Sequence, residues 1–291
     1  MPKIDADAPL DGSNALRASL VYGPSRAGKT VFDATFPRPA IFCSAREGGY
    51  ISVQTMDRDL WYEANRKPII YAVNGIAETA PYFKEVEAGV RKGQIKTIVI
   101  ELTFYSQDVI RAAKKTTDDQ WAVYRLLDEH IQWLDKAAKA LGVRVAYNSL
   151  AADGDTATKV PGGLLLPGKA VAKSLPASTD LTGYLHAEER ANNKIDRVLH
   201  LAPHGVFPAG HRYGDKLPNI VRNPTFRKLE DLITGRAFAD AEGNVLYGEA
   251  AKAARATAAQ QAAAAPPAAP APTPASTTPS ETDSSAELPP L

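Results

Sequence analysis

A single cysteine, Cys43, stands in a chain of 291 residues, which excludes a disulfide framework and any zinc site built on cysteine. Such usage fits a reducing compartment, and the cytoplasm is the expected location. An excess of charge of one sign is also missing. Lys and Arg number 34 against 33 Asp and Glu, a net charge of +1, so the chain is neither a basic nucleic-acid coat nor an acidic mimic. No uncharged apolar run approaches the roughly 18 residues that a membrane span needs, and the N-terminal MPKIDADAPLDGSNALRA has no apolar signal core. A soluble, unexported protein with no membrane partner is expected. The histidines His130, His186, His200, His204 and His211 form no H-E-x-x-H pattern, and no Gly-x-Ser-x-Gly elbow or catalytic cysteine context occurs. No zinc and no hydrolase triad are assigned.

Composition divides the chain. Residues 249–291 are almost free of aromatic and branched aliphatic side chains and read AAAAPPAAPAPTPASTTPS over much of their length, so they cannot offset the entropy of ordering a backbone. They are expected to be a disordered Ala/Pro-rich tail with at most a frayed helix over 249–265, serving as a tether for a partner protein. Residues 1–13 form a short N-terminal extension, which leaves 14–248 as one folded domain in the upper size range.

Within that domain, strand-like and helix-like text alternates. Residues 16–22 (LRASLVY), 39–44 (PAIFCS), 68–73 (PIIYAV), 97–102 (TIVIEL) and 143–147 are short apolar runs with little alternation, as strands covered on both faces should be. Helical text falls at 28–35, 79–92 and 118–141; in the last, Trp121, Tyr124, Leu127, Ile131, Leu134, Ala138 and Leu141 recur at spacings of three and four. The pattern predicts an α/β fold with a mainly parallel central sheet and helices on both faces. Residues 151–176 read as a Gly/Pro/Lys-rich loop, and 181–187, 197–202 and 205–209 as added antiparallel strands before a last helix at 225–234.

The strongest signal lies between the first strand and the first helix. Gly23-Pro24-Ser25-Arg26-Ala27-Gly28-Lys29-Thr30, followed by Val31, is a complete G-x-x-x-x-G-K-T. Glycines allow a tight turn whose N–H groups face phosphates, Lys29 reaches the β- and γ-phosphates of ATP, and Thr30 offers a hydroxyl to Mg²⁺. Such a site also needs an acid at the end of a neighbouring buried strand, and Glu101 occupies that place, one methylene longer than the usual aspartate. Glu47, in CSAREGGY after the second strand, is the candidate general base for water attack. Asn148, after the fifth strand, is placed to sense the γ-phosphate.

Taken together, LVYGPSRAGKT, FCSAREGGY, IKTIVIELT and VRVAYNSL resemble the RecA-like P-loop ATPases of bacteriophages, the AAA-type ATP-binding proteins, and most nearly the Sak-type single-strand annealing recombinases, over about residues 14–235. The resemblance implies a RecA-like core, ATP and Mg²⁺ as ligands, assembly into a homo-oligomer and action on single-stranded DNA in phage recombination or replication. It would place the protein in the host cytoplasm. It matches Glu47 to an acid after the second core strand and Asn148 to a polar strand end where the family often has His. The family reads Asp at the position of Glu101, which implies weaker hydrolysis here. Gly210-His211-Arg212-Tyr213-Gly214 is similar to the KNRFG element of RadA proteins and assigns Arg212 to the nucleotide of a neighbouring subunit. Lys159, Lys169 and Lys173 fall where RecA-like folds carry a DNA-binding loop. Two other readings stay open: a small-molecule phosphotransferase, and a nonhydrolysing nucleotide-dependent scaffold.

Overall fold

Five strands lie side by side and parallel because each connection between them runs over a face of the sheet. The computed structural model describes residues 16–264 except 47–49, 64–65, 75, 155–161, 168–169 and 191–192. In chain order the first half comprises β1 (Ala18–Gly23), α1 (Lys29–Ala34), β2 (Pro39–Ser44), α2 (Tyr50–Thr55), β3 (Ile69–Val73), α3 (Ile76–Arg91), β4 (Thr97–Glu101), α4 (Leu102–Ala113), α5 (Gln120–Ala140) and β5 (Arg144–Ala152). The second half adds β6 (Gly163–Leu164), α6 (Ala170–Ala177), β7 (Leu181–Glu189), β8 (Ile195–His200), β9 (Gly210–His211), β10 (Ile220–Arg222), α7 (Phe226–Ile233), β11 (Phe238–Ala239), β12 (Val245–Leu246) and α8 (Gly248–Ala264).

The main sheet runs β10-β8-β7-β1-β5-β4-β2-β3, and β7 is also parallel to β1. β5 therefore lies between the strand that leads into the phosphate loop and β4, the strand that ends at Glu101. Every residue of β1, β2 and β4 is buried, because both faces are covered. Successive side chains enter opposite layers. Val21, Ile41, Val99 and Ala146 pack with Phe32 of α1 and with Phe226 and Leu229 of α7. Leu20, Phe42, Ile98, Ile100 and Tyr147 pack on the other face with Phe83 of α3, Tyr105 and Val109 of α4 and Leu127, Ile131 and Leu134 of α5. Cys43 is buried in its strand, and burial pushes its thiol up to about 12, so it is inert.

Several expectations are corrected. Trp121 is not a core residue: it is 83% exposed, and Val123 takes the inward place. The two positions differ by about 200° around a helix, and the phase is set by Val123, Leu127, Ile131, Leu134 and Ala138, all buried. The stretch 151–176, expected as loop, contains β6 paired with the end of β5, and α6. The strand expected at 205–209 is instead a tight turn closed between His204 and Phe207, with β9 following it. α8 occupies the stretch for which at most a frayed helix over 249–265 is expected, and its start is anchored. Ala251 is buried, and Arg255 donates to the Gly235 and Ala237 carbonyls at 2.8 Å while lying over the Phe238 ring, which supplies the anchoring that composition alone did not promise. Residues beyond 264 lie outside the described residues.

Candidate nucleotide site

The turn that carries the chemistry is possible only because two of its residues lack a Cβ. At Gly23, the end of β1, a Cβ would lie 1.9 Å from the Leu185 carbonyl oxygen of β7. At Gly28 the backbone has φ 94°, and a Cβ would lie 2.1 Å from Nε of Arg197. Between them Arg26 also adopts a positive φ, 64°, and Ala27 is buried under the loop. The chain then enters α1 with Lys29 and Thr30 as its first two residues.

Lys29 folds back over the loop, its Nζ donating to the Gly23 carbonyl at 3.0 Å and the Pro24 carbonyl at 2.7 Å. Burial lowers its pKa to about 8, against the opposing pull of Glu101 and Asp33. Thr30 Oγ1 donates to Glu101 Oε1 at 3.0 Å, so the hydroxyl and carboxylate proposed for one metal ion are adjacent. Asn148 is level with Glu101 on one side and Val21 on the other, a consequence of the parallel register of β4, β5 and β1. Its amide donates to Asp33 Oδ2 on α1. Asp33 is wholly buried, its Oδ1 has no hydrogen-bond partner, and its pKa rises to about 7 through burial, with Glu101 adding to the rise while Asn148 and Lys29 oppose it.

Lys29, Thr30, Glu101 and Asn148 line a cavity of about 360 Å³ whose wall also includes Ser25, Arg26, Val31, Thr103 and Arg197. A larger cavity, about 930 Å³, lies at the opposite ends of the strands beside Arg17 and Arg144 and contains none of the loop residues. Its size does not outweigh the chemistry gathered at the smaller one. Thr103, two residues past Glu101, accepts the Leu150 N–H at 2.8 Å and lies 2.9 Å from Ser149 Oγ and 3.2 Å from the Leu165 carbonyl. It ties the acid-bearing strand to the end of β5 and to the segment that follows β6.

Glu47 lies outside the described residues. Arg212 is not brought to this cavity within its own chain. It follows β9, whose His211 pairs with Leu181, level with Ser19 near the start of β1, whereas the phosphate loop leaves from the far end of that strand. Its guanidinium donates to the Ala177 carbonyl at 2.6 Å and lies 4.0 Å from Asp180 Oδ1. Three site residues escaped sequence reasoning: Asp33, Thr103 and Arg197. Asp33 had a readable signal, being four residues after Lys29 on one helix face. Arg197 had none, since only the β7–β8 pairing brings it to the loop.

A mostly parallel sheet, helices on both faces, added antiparallel strands and a lysine–threonine loop opposite a buried acid define a P-loop NTPase fold. The family model described as an AAA domain matches residues 17–213, and the chain belongs to that family, among the nucleotide-binding P-loop ATPases. Comparison with curated proteins finds no significant match. No helix among the described residues is long and apolar enough to cross a membrane.

Proposed function

We propose that the protein is a Mg²⁺-dependent ATPase that assembles into homo-oligomers and acts on single-stranded DNA in phage recombination or replication. The observation that carries the ATPase reading is the convergence of Lys29, Thr30, Glu101 and Asn148 at one edge of three adjacent parallel strands. A hydroxyl and a carboxylate 3.0 Å apart are hard oxygen donors of the kind Mg²⁺ takes. Thr30 and Glu101 would hold the ion, which when bound neutralises phosphate charge. Lys29 binds phosphate, Asn148 reports it through Asp33 and the β5 end, and Glu47 serves as general base on the strength of the resemblance. The longer Glu101 in place of Asp accompanies slow turnover.

The DNA reading has separate support. A cleft of about 670 Å³ lined by Gly162, Gly163, Leu164, Lys173, His211 and Arg212 lies beside the segment that Thr103 ties to the nucleotide site. Lys173 is exposed there and can track a phosphate backbone. Arg212, distant from its own loop, has an exposed side chain that would serve a neighbouring subunit's nucleotide on leaving the Ala177 carbonyl.

The test is ATP turnover with and without single-stranded DNA, beside a screen of nucleoside and sugar acceptors. Release of inorganic phosphate accelerated by DNA is expected. A phosphorylated acceptor would establish a phosphotransferase instead, and ATP retained intact after long incubation would establish a scaffold.

A further inference from the structure

The antiparallel extension carries a cluster of side chains that the nucleotide site does not use. His186 of β7 and His200 of β8 are diagonal neighbours, because Tyr184 pairs with His200 and His186 with Val198. His204 joins them from the tight turn in which its N–H and carbonyl both bond Phe207, each at 3.0 Å, with Gly205 at φ 58°. Ring centroids lie 4.9 Å apart for His186 and His200 and 3.8 Å for His200 and His204. One ring nitrogen from each of the three lies within 4.8 Å of the other two.

We propose that His186, His200 and His204 bind one late first-row divalent metal ion, with Zn²⁺ as the expected occupant. Two observations beyond proximity support a ligand here. His186 Nε2 lies 3.0 Å from Glu188 Oε1, and Glu188 in turn accepts from Arg222 at 2.9 Å. That carboxylate holds the proton on Nε2 and leaves the lone pair on Nδ1, the arrangement by which outer carboxylates orient histidine ligands. The Nδ1 so exposed is buried and has no hydrogen-bond partner, and the same is true of His200 Nε2. Buried polar atoms rarely stay unpaired, so both point to a missing partner.

The donor set selects the ion. Three imidazole nitrogens suit Zn²⁺ and its late first-row neighbours, whereas Mg²⁺ and Ca²⁺ take oxygen. Tetrahedral zinc with bonds of about 2.0–2.1 Å needs its nitrogens roughly 3.4 Å apart. His204 is exposed, and turning its ring closes the remaining distance. A fourth position stays open to water. Tyr184 and Phe207, stacked at 4.2 Å, wall the cluster on one side. Strand alternation puts His186 and His200 on the face of the hairpin opposite Leu185, Leu199 and Arg197. A metal there would pin β7 to β8 and to the 204–207 turn, and so steady the strand that carries Arg197 to the phosphate loop.

The experiment uses the full chain without a polyhistidine tag, stripped with a chelator and free of nucleotide, titrated with Zn²⁺ alone and separately with Co²⁺ alone. Expected are one Zn²⁺ per chain, a raised melting temperature, and with Co²⁺ the intense visible absorption of a four-coordinate nitrogen site. His204→Ala, at an exposed position, should fold normally and lose the cobalt band, and Glu188→Gln should weaken zinc binding roughly 10- to 100-fold. His211→Ala, outside the cluster, should bind as wild type. Absence of stoichiometric zinc binding, or binding that His204→Ala leaves unchanged, would overturn the assignment.

Discussion

The two halves of the sheet build their chemistry in different ways. From β1 to β5 the strands are parallel, so their C-terminal ends share one edge, and one turn plus residues from β4 and β5 gather there. Lys29 and Thr30 come from the turn, Glu101 from β4 and Asn148 from β5. From β7 to β10 the strands are antiparallel, and groups meet across faces at positions set by register. Arg197 reaches the phosphate loop from one face while His186 and His200 meet on the other. A parallel edge concentrates function where sequence motifs can be short and contiguous. An antiparallel hairpin distributes it among residues that no local pattern connects.

The largest expected effect tests the contiguous half. Lys29→Ala should abolish ATP binding in calorimetry with the fold intact, because the ammonium bonds only loop carbonyls and makes no core contact. Next come the two arginines outside the motif. Arg212→Ala should bind ATP normally and lose turnover by ~10³-fold, the scale of a finger supplied by a neighbour, and mixing it with Lys29→Ala protein should restore part of the rate. Arg197→Ala should lose roughly tenfold in turnover with no recovery on mixing, since Arg197 meets Gly28 of its own chain. Equal rescue of both variants would erase the distinction between the halves.

A smaller effect concerns Asp33. Its folded pKa of about 7 lies above the unfolded value near 3.9, so the native state holds the extra proton between those limits and stability falls as pH rises through them. Asp33→Asn should remove that fall. In urea unfolding, the variant should gain on wild type between pH 5 and pH 8 by roughly 2–3 kcal/mol. Lys29 titrates higher, at about 8, and contributes little to the slope in that window. A parallel pH dependence in both proteins would place the proton elsewhere. The smallest effect belongs to α8: ending the chain after Gly248 should lower the melting temperature by a few degrees through loss of the Ala251 and Arg255 contacts, as removal of about 1–2 kcal/mol would in a domain this size. Ending it after 264 should leave the temperature unchanged.

Much of the parallel half was readable. The strands at 39–44 and 97–102 are runs of mostly apolar residues because both faces are covered, and that needs no knowledge of neighbours. α4 was not readable as a separate helix, since Glu101 caps it directly and leaves no turn between strand and helix. Trp121 misled because an aromatic at helical spacing scores as core until the phase of the helix is known. The attachment of α8 rests on one alanine and one arginine, too little for composition to register.

By itself the sequence determined the phosphate loop and its ligand class, because an octapeptide of glycines, lysine and threonine makes its own turn and supplies its own donors. It also determined the layered α/β architecture, which follows from runs of apolar residues of strand and helix length. Only the tertiary structure decided that Thr30 meets Glu101, that Asn148 meets Asp33, that Arg197 rather than Arg212 lies on the chain's own loop, and that His186 joins His200 and His204 in one cluster. Each of those meetings depends on strand order and register, which long-range packing sets and local residue patterns do not.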